Sequence, residues 1–196
     1  MKRLILVCAI LLLPLAAFSE VTKREKEACF LSPSYACVIT QALAIAKTTE
    51  DADDRAEALT GIATAQAKAG DVKAALATAK TIERADIRAT ALTDIAKAQA
   101  KAGDVKEAKE TFVQAFASAK TIEDADDRAE ALTDIATAQV KAGDVKEAFA
   151  TAKTIEDADI RAEALTDIAT AQAKAGDVKE AKETFVQAFA SAKTIE

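Results

Sequence analysis

KAGDVKEA recurs unchanged at Lys101–Ala108, Lys141–Ala148 and Lys174–Ala181, and KAGDVKAA stands at Lys68–Ala75. A glycine beside a carboxylate can line a ligand or metal loop, or it can stop one helix and start the next. The flanking residues decide. In RAEALTDIATAQVKAG, residues 128–143, Leu132, Ile135, Ala136 and Gln139 fall at three- and four-residue steps on one helical face, giving a helix A. Beyond the aspartate, Val105, Ala108, Phe112, Ala115, Phe116 and Ala119 make a helix B, and Val72, Ala75, Leu76 and Ala79 make a shorter one. Glycine then supplies the left-handed residue that closes helix A. Asp104, Asp144 and Asp177 are expected to cap helix B, with Glu107, Glu147 and Glu180 completing a capping box, while Asp71 has Ala74 in place of the glutamate. The octapeptide reads as a hinge.

The hinge aspartates Asp71, Asp104, Asp144 and Asp177 are spaced by 33, 40 and 33 residues, so short and long units alternate. Asp104–Glu123 and Asp177–Glu196 are identical, which marks a tandem duplication. The long unit adds 7 residues, about two helical turns, and so lengthens helix B while rotating its buried face by only about 20°. Between units, Asp54 and Asp127 stand before R-A-E and are expected to cap helix A, with Glu57 and Glu130 completing the box. The EDADD runs lack the central glycine and terminal glutamate of a calcium loop.

The chain is 51% apolar and 30% charged, with two prolines and no histidine, and alanine dominates its apolar residues. That composition specifies an all-α protein. Its start, MKRLILVCAILLLPLAAFSE, has a basic Lys2-Arg3 end, an apolar run from Leu4 to Leu15 and a small-x-small site at Ala17–Ser19. This is the pattern of a secretory signal over residues 1–19, and an uncleaved anchor is the alternative. Export to a bacterial periplasm or beyond the cell is the expectation. Without the leader, 24 basic face 32 acidic groups, a net charge of −8 that disfavours nucleic acid and anionic membrane surfaces as partners. Cys29 and Cys37 are then an even pair and suggest a disulfide in an oxidising compartment; two buried thiols or a metal pair are the alternatives. Between them Ser32 is a good N-cap and Pro33 a good first helical residue.

AEALTDIATAQVKAGDVKEA resembles the tetratricopeptide repeat. Leu59, Leu92, Leu132 and Leu165 match its first large apolar position, and Ile62, Ile95, Ile135 and Ile168 its second. Ala63, Ala96, Ala136 and Ala169 match the small residue of helix A, Ala75, Ala108, Ala148 and Ala181 that of helix B, and the four Gly-Asp pairs the turn. The family's helix A aromatic is replaced by Gln66, Gln99, Gln139 and Gln172, which either bond across helices or meet solvent, and its boundary proline is missing. The resemblance implies a right-handed α-solenoid of antiparallel helix pairs in alternating 33- and 40-residue units. It comprises an N-terminal segment and capping half-repeat over residues 20–54 and four repeats over 55–196.

The resemblance also implies a groove lined by helix A that binds a protein or peptide, with no cofactor and no metal. Its outward positions are Glu57, Thr60, Thr64 and Lys68; Thr90, Thr93, Lys97 and Lys101; Glu130, Thr133, Thr137 and Lys141; and Glu163, Thr166, Thr170 and Lys174. A solvated face without a partner is the competing reading. Lack of histidine removes an imidazole base and a Ser-His-Asp arrangement, and the carboxylates recur where helix caps explain them, so an enzyme is not expected. Self-association is a third possibility: Val178, Phe185, Val186 and Phe189 are expected to leave an apolar edge in the last repeat.

Overall fold

The computed structural model describes residues 34–193, which contain helices and no strand. The chain divides into two compact units, Met1–Thr48 and Thr49–Glu196. The described part of the first is helix α1, Tyr35–Thr48. Ser34 Oγ accepts from the Cys37 N–H at 3.3 Å, so Ser34 caps this helix and the expected start at Ser32-Pro33 moves two residues along the chain. Ser32, Pro33, Cys29 and the leader lie outside the described residues.

The second unit holds α2 (Ala52–Lys68), α3 (Val72–Ala79), α4 (Ala85–Ala102), α5 (Val105–Ala119), α6 (Ala125–Lys141), α7 (Val145–Ala152), α8 (Ala158–Ala175) and α9 (Val178–Ala192). Each helix packs on its hairpin partner: α2 on α3, α4 on α5, α6 on α7 and α8 on α9. The A helices α2, α4, α6 and α8 also stack in series, and each B helix touches the following A helix. This is the contact plan of a TPR-like solenoid, in which every unit shields its neighbour. The B helices alternate between 8 and 15 residues, so the long insertion extends α5 and α9 as continuous helix.

The hinge forms as the glycine dictates. Gly70, Gly103, Gly143 and Gly176 have φ between +81° and +94°, a region that costs any residue with a Cβ about 1–2 kcal/mol. In each hinge the N–H of the following aspartate donates back to the carbonyl of the glutamine five residues earlier, as in Asp144 to Gln139 at 2.8 Å, closing the helix A terminus in a Schellman turn. The capping boxes do not form. Asp71, the one without a glutamate partner, accepts from the Ala74 N–H at 3.3 Å, whereas the side chains of Asp104, Asp144 and Asp177 make no cap bond. Asp144 instead receives Lys109 Nζ of the preceding long helix at 3.0 Å. Helix A also starts earlier than expected. Asp51 and Asp124, rather than Asp54 and Asp127, cap α2 and α6, each accepting from the N–H groups two and three residues on. Asp51 is held below the usual carboxylate range by the amides of Asp54 and Asp53.

The core is built from the small residues of the pattern. Leu59, Leu92, Leu132 and Leu165 and Ile62, Ile95, Ile135 and Ile168 are all buried, Leu76 of the short helix B is half-buried, and Ala63, Ala96, Ala136 and Ala169 are at most 1% exposed, which lets neighbouring helices approach closely. Val105, expected on the buried face of helix B, is exposed, and so is Val178, expected on the apolar edge of the last repeat. All four glutamines are buried, and in the short units they bond across helices: Thr78 Oγ1 donates to Gln66 Oε1 at 2.8 Å and Thr151 Oγ1 to Gln139 Oε1 at 2.9 Å.

An arginine near the start of each helix A joins the units. Nη1 of Arg55, Arg88, Arg128 and Arg161 donates to the backbone carbonyls six and five residues earlier, the first of them at 2.6–2.8 Å. These carbonyls follow a B helix and have no helical partner of their own. Arg128→Ala is expected to lower unfolding free energy by about 2 kcal/mol, the scale of hydrogen bonds to a charged donor, measured by urea denaturation. For Gly143→Ala, whose new Cβ would meet nothing within 4 Å, a loss of about 1 kcal/mol is expected from backbone conformation alone. No loss would show that the turn can relax.

Candidate functional site

The expected binding residues lie on the stacked A helices, and the structure sorts them into three registers. Glu57, Glu130 and Glu163 are exposed near one end of their helices, and Lys68, Lys101, Lys141 and Lys174 near the other, with Thr90 and Lys97 also exposed. The threonines form a seam between these charged ends. Thr93 is buried, contrary to its expected outward position; its equivalents Thr60 and Thr133 are half-buried, and Thr166 on the last A helix is exposed. The exposed member, Thr166, lies on α8, whereas α2, α4 and α6 each pack against a following A helix. Thr64, Thr137 and Thr170 are half-buried.

The threonine hydroxyls are committed to their own helices. Thr60, Thr93, Thr133, Thr166 and Thr170 each donate to the carbonyl four residues earlier at 2.8–2.9 Å. This back-bonding satisfies the hydroxyl locally. The charged groups are less committed. Lys97 Nζ pairs with Asp94 at 3.1 Å, but among the described residues no carboxylate lies within 4.0 Å of the ammonium groups of Lys68, Lys101, Lys141 or Lys174.

Two hollows on this face show the charge separation directly. One of about 520 Å³ between α2 and α4 is lined by Lys68, Lys97 and Lys101 with Thr64 and Asp94. Another of about 220 Å³ between α4 and α6 is lined by Asp86, Asp127, Glu130 and Asp134. Asp86, Asp127 and Asp134 were not among the expected binding residues, although their place in the first half of each helix A was readable from the repeat. The helix dipole favours this arrangement, with carboxylates toward N-termini and ammonium groups toward C-termini.

Arg84 crosses the acidic end. Its Nη1 meets Asp53 Oδ1 at 2.6 Å on α2 and its Nη2 meets Asp86 Oδ2 at 2.5 Å on α4. The Arg84 side chain holds the Asp86 carboxyl below its ordinary range, and the hydrogen bonds it donates to Asp86 and Asp53 push the Arg84 guanidinium further up. Among the described residues no cluster of three or more histidine, cysteine, aspartate or glutamate side chains is placed to hold a metal ion. No described helix is long and apolar enough to cross a membrane.

No protein-family model matches the sequence, and no curated protein does. Among solved structures, a Podosopora anserina protein of nearly identical TPR-like repeats is 23% identical with a TM-score of 0.45, over 93% of this chain and 97% of that one. A single-substitution variant of that protein is also 23% identical with a TM-score of 0.44, over 92% and 95%. A Thermococcus onnurineus protein is 21% identical with a TM-score of 0.46, over 89% of this chain and 53% of that one.

Asp86 supplies a pH test. A carboxyl whose folded pKa is depressed adds stability above its unfolded pKa, and that stability is lost as pH falls through the folded value. Thermal stability is therefore expected to fall on acidification below about pH 4, where ordinary aspartates protonate. In Arg84→Gln the part of this fall due to Asp86 should disappear. Identical acid profiles for the two proteins would show that the Arg84 pair is not maintained in solution.

Proposed function

We infer that the chain is a non-catalytic scaffold whose A-helix face binds an extended or helical segment of another protein. The observation that carries this reading is the row of exposed lysines Lys68, Lys101, Lys141 and Lys174, without a carboxylate partner among the described residues, at the opposite end of the stacked helices from a row of carboxylates. A segment lying across the helices meets positive charge along one edge and negative charge along the other. Its orientation is thereby selected electrostatically. The threonine seam between the edges offers methyl groups and small side chains, because its hydroxyls are already bonded.

Export completes the reading: residues 1–19 act as a cleaved leader to the periplasm or outside the cell, and Cys29 is joined to Cys37 in the mature chain. A second reading, self-association through α9, is favoured by one observation. Phe112 of α5 is 1% exposed, whereas its counterpart Phe185, in an identical helix, is 41% exposed and Phe189 63%.

Replacing Lys68, Lys101 and Lys141 with glutamate reverses one charged edge without touching the core. Capture of a specific partner from the native envelope fraction is expected to be lost in this variant, while circular dichroism and thermal stability stay close to those of the original chain. Capture that survives the reversal would remove the A-helix face from the mechanism. Intact mass under non-reducing conditions tests export independently: the expected mature species lacks the leader and carries one disulfide.

A further inference from the structure

The chain writes both sides of one internal interface twice and builds that interface once. Residues 158–192, α8 and α9, repeat residues 85–119, α4 and α5, except that Glu163 and Thr170 replace Thr90 and Lys97. Residues 52–79, α2 and α3, repeat residues 125–152, α6 and α7, except at Gly61, Ala67, Ala74 and Leu76. Within the chain α6–α7 follows α4–α5, and α5 packs on α6. No helix pair follows α8–α9 among the described residues. The two identical B helices differ accordingly: Phe112 is 1% exposed and Phe185 41%, and Phe116 is half-buried where Phe189 is exposed. Val178 and Val186 carry no such contrast, because Val105 and Val113 are exposed as well.

Charge limits what this open face accepts. Lys182 is exposed one turn before Phe185, and Lys193 Nζ lies 4.7 Å from the ring centroid of Phe189, so pairing α9 with another α9 would bring like charges together. In the interface already built, the equivalent Lys109 Nζ meets the buried Asp144 at the hinge of α6–α7, at 3.0 Å. The matching hinge aspartate of α2–α3 is Asp71, which is exposed. The A helix of that pair is open on the matching side. Ala98 on α4 and Ala131 on α6 line hollows shared with the preceding A helix, which fixes the direction of their registers. In those registers α2 carries Ala65 and Ala58, both exposed, whereas Ala138 is 1% and Ala91 0% exposed.

We propose that the chain binds a second copy of itself head to tail: α8–α9 of one copy takes, against α2–α3 of the next, the place that α4–α5 takes against α6–α7, with Lys182 reaching Asp71 of the second copy. This rests on the second reading above, self-association through α9, and gives that contact its partner surface. Such a heterologous contact does not close on two copies, so it propagates into a chain or a ring. By sequence, α1 is the rival for the place before α2, since QALAIAK at 41–47 repeats QAFASAK at the end of α5, 114–120. It offers Ile39 and Leu43 where α9 offers Phe185 and Phe189, and Ala36 where α9 has Lys182. The incoming helix therefore brings more apolar surface and a charge for Asp71.

Sedimentation velocity of the full chain over a concentration series reads the association, and growth beyond a dimer is expected. Two substitutions at exposed positions block one side each: Phe189→Glu on α9 and Ala65→Glu on α2, with circular dichroism to verify that both variants keep their helices. Each alone should stay monomeric where the original chain assembles. An equimolar mixture should form a one-to-one complex, because each variant keeps the surface the other has lost. Lys182→Glu should weaken association about tenfold, and adding Asp71→Lys to the same chain should recover it. Ile39→Ala, which weakens the rival helix, should strengthen association. Assembly of Ala65→Glu like that of the original chain would overturn the proposal and leave self-association through α9 standing; a strict monomer for the original chain at every concentration would remove both. A variant mixture that stays monomeric, no recovery on the paired charge reversal, or weaker association of Ile39→Ala also overturns the head-to-tail contact.

Discussion

The arginine at the start of each helix A is the bond on which the stacking rests. A solenoid must turn the chain sharply twice per unit, and each turn strands backbone carbonyls that no helix satisfies. The Gly-Asp turn solves this within the backbone, through the aspartate N–H and the glutamine carbonyl. The turn between units has no glycine and no proline, so a side chain takes over: Arg55, Arg88, Arg128 and Arg161 reach back across the loop to two carbonyls each. The same arginines also reach beyond their own helix. Arg88 and Arg161 donate through Nε to Ser118 and Ser191 of the long B helices, while Arg128 pairs with Glu156. One residue type therefore ties down the loop between units and, at Arg88 and Arg161, braces the helix pair that follows it.

Much of this was legible in the sequence, because the repeat displays the same periodic pattern several times. Leu132, Ile135 and Ala136 announced their helix face by spacing, and the 7-residue insertion predicted a longer helix B with its buried face preserved. The errors came where several residues compete for one role. EDADD offers several carboxylates to a helix start, and sequence alone does not rank them; the helix begins after the first aspartate, so Asp51 and Asp124 take the cap. Asp104, Asp144 and Asp177 have the spacing of a capping box yet make no cap bond, and Asp144 pairs with Lys109 from another unit, a contact that no local motif contains.

The functional face was legible in its charges and illegible in its threonines. Glu57, Glu130 and the four lysines keep their exposed places because charged groups stay in water unless paired. Thr93 is buried on α4, which packs against α2, α5 and α6, and such stacking is not written in the periodicity of a single helix. The unpartnered oxygen of Gln172 was further from view, since its register matches that of Gln139, yet Thr151 donates across helices while Thr184 donates to its own helix.

Because α5 and α9 are written with the same letters, neither carries information about where it belongs. An unfolded chain could lay α9 against α4, seating Phe185 where Phe112 sits, and loop out everything between them. Loop closure penalises that exchange only slowly with length, by about 0.6 kcal/mol per doubling. Correct order is therefore kept less by affinity than by timing: the short hinge lets α5 find α4 before α9 has diffused into reach. In this chain the Gly-Asp turn acts as a clock as well as a joint.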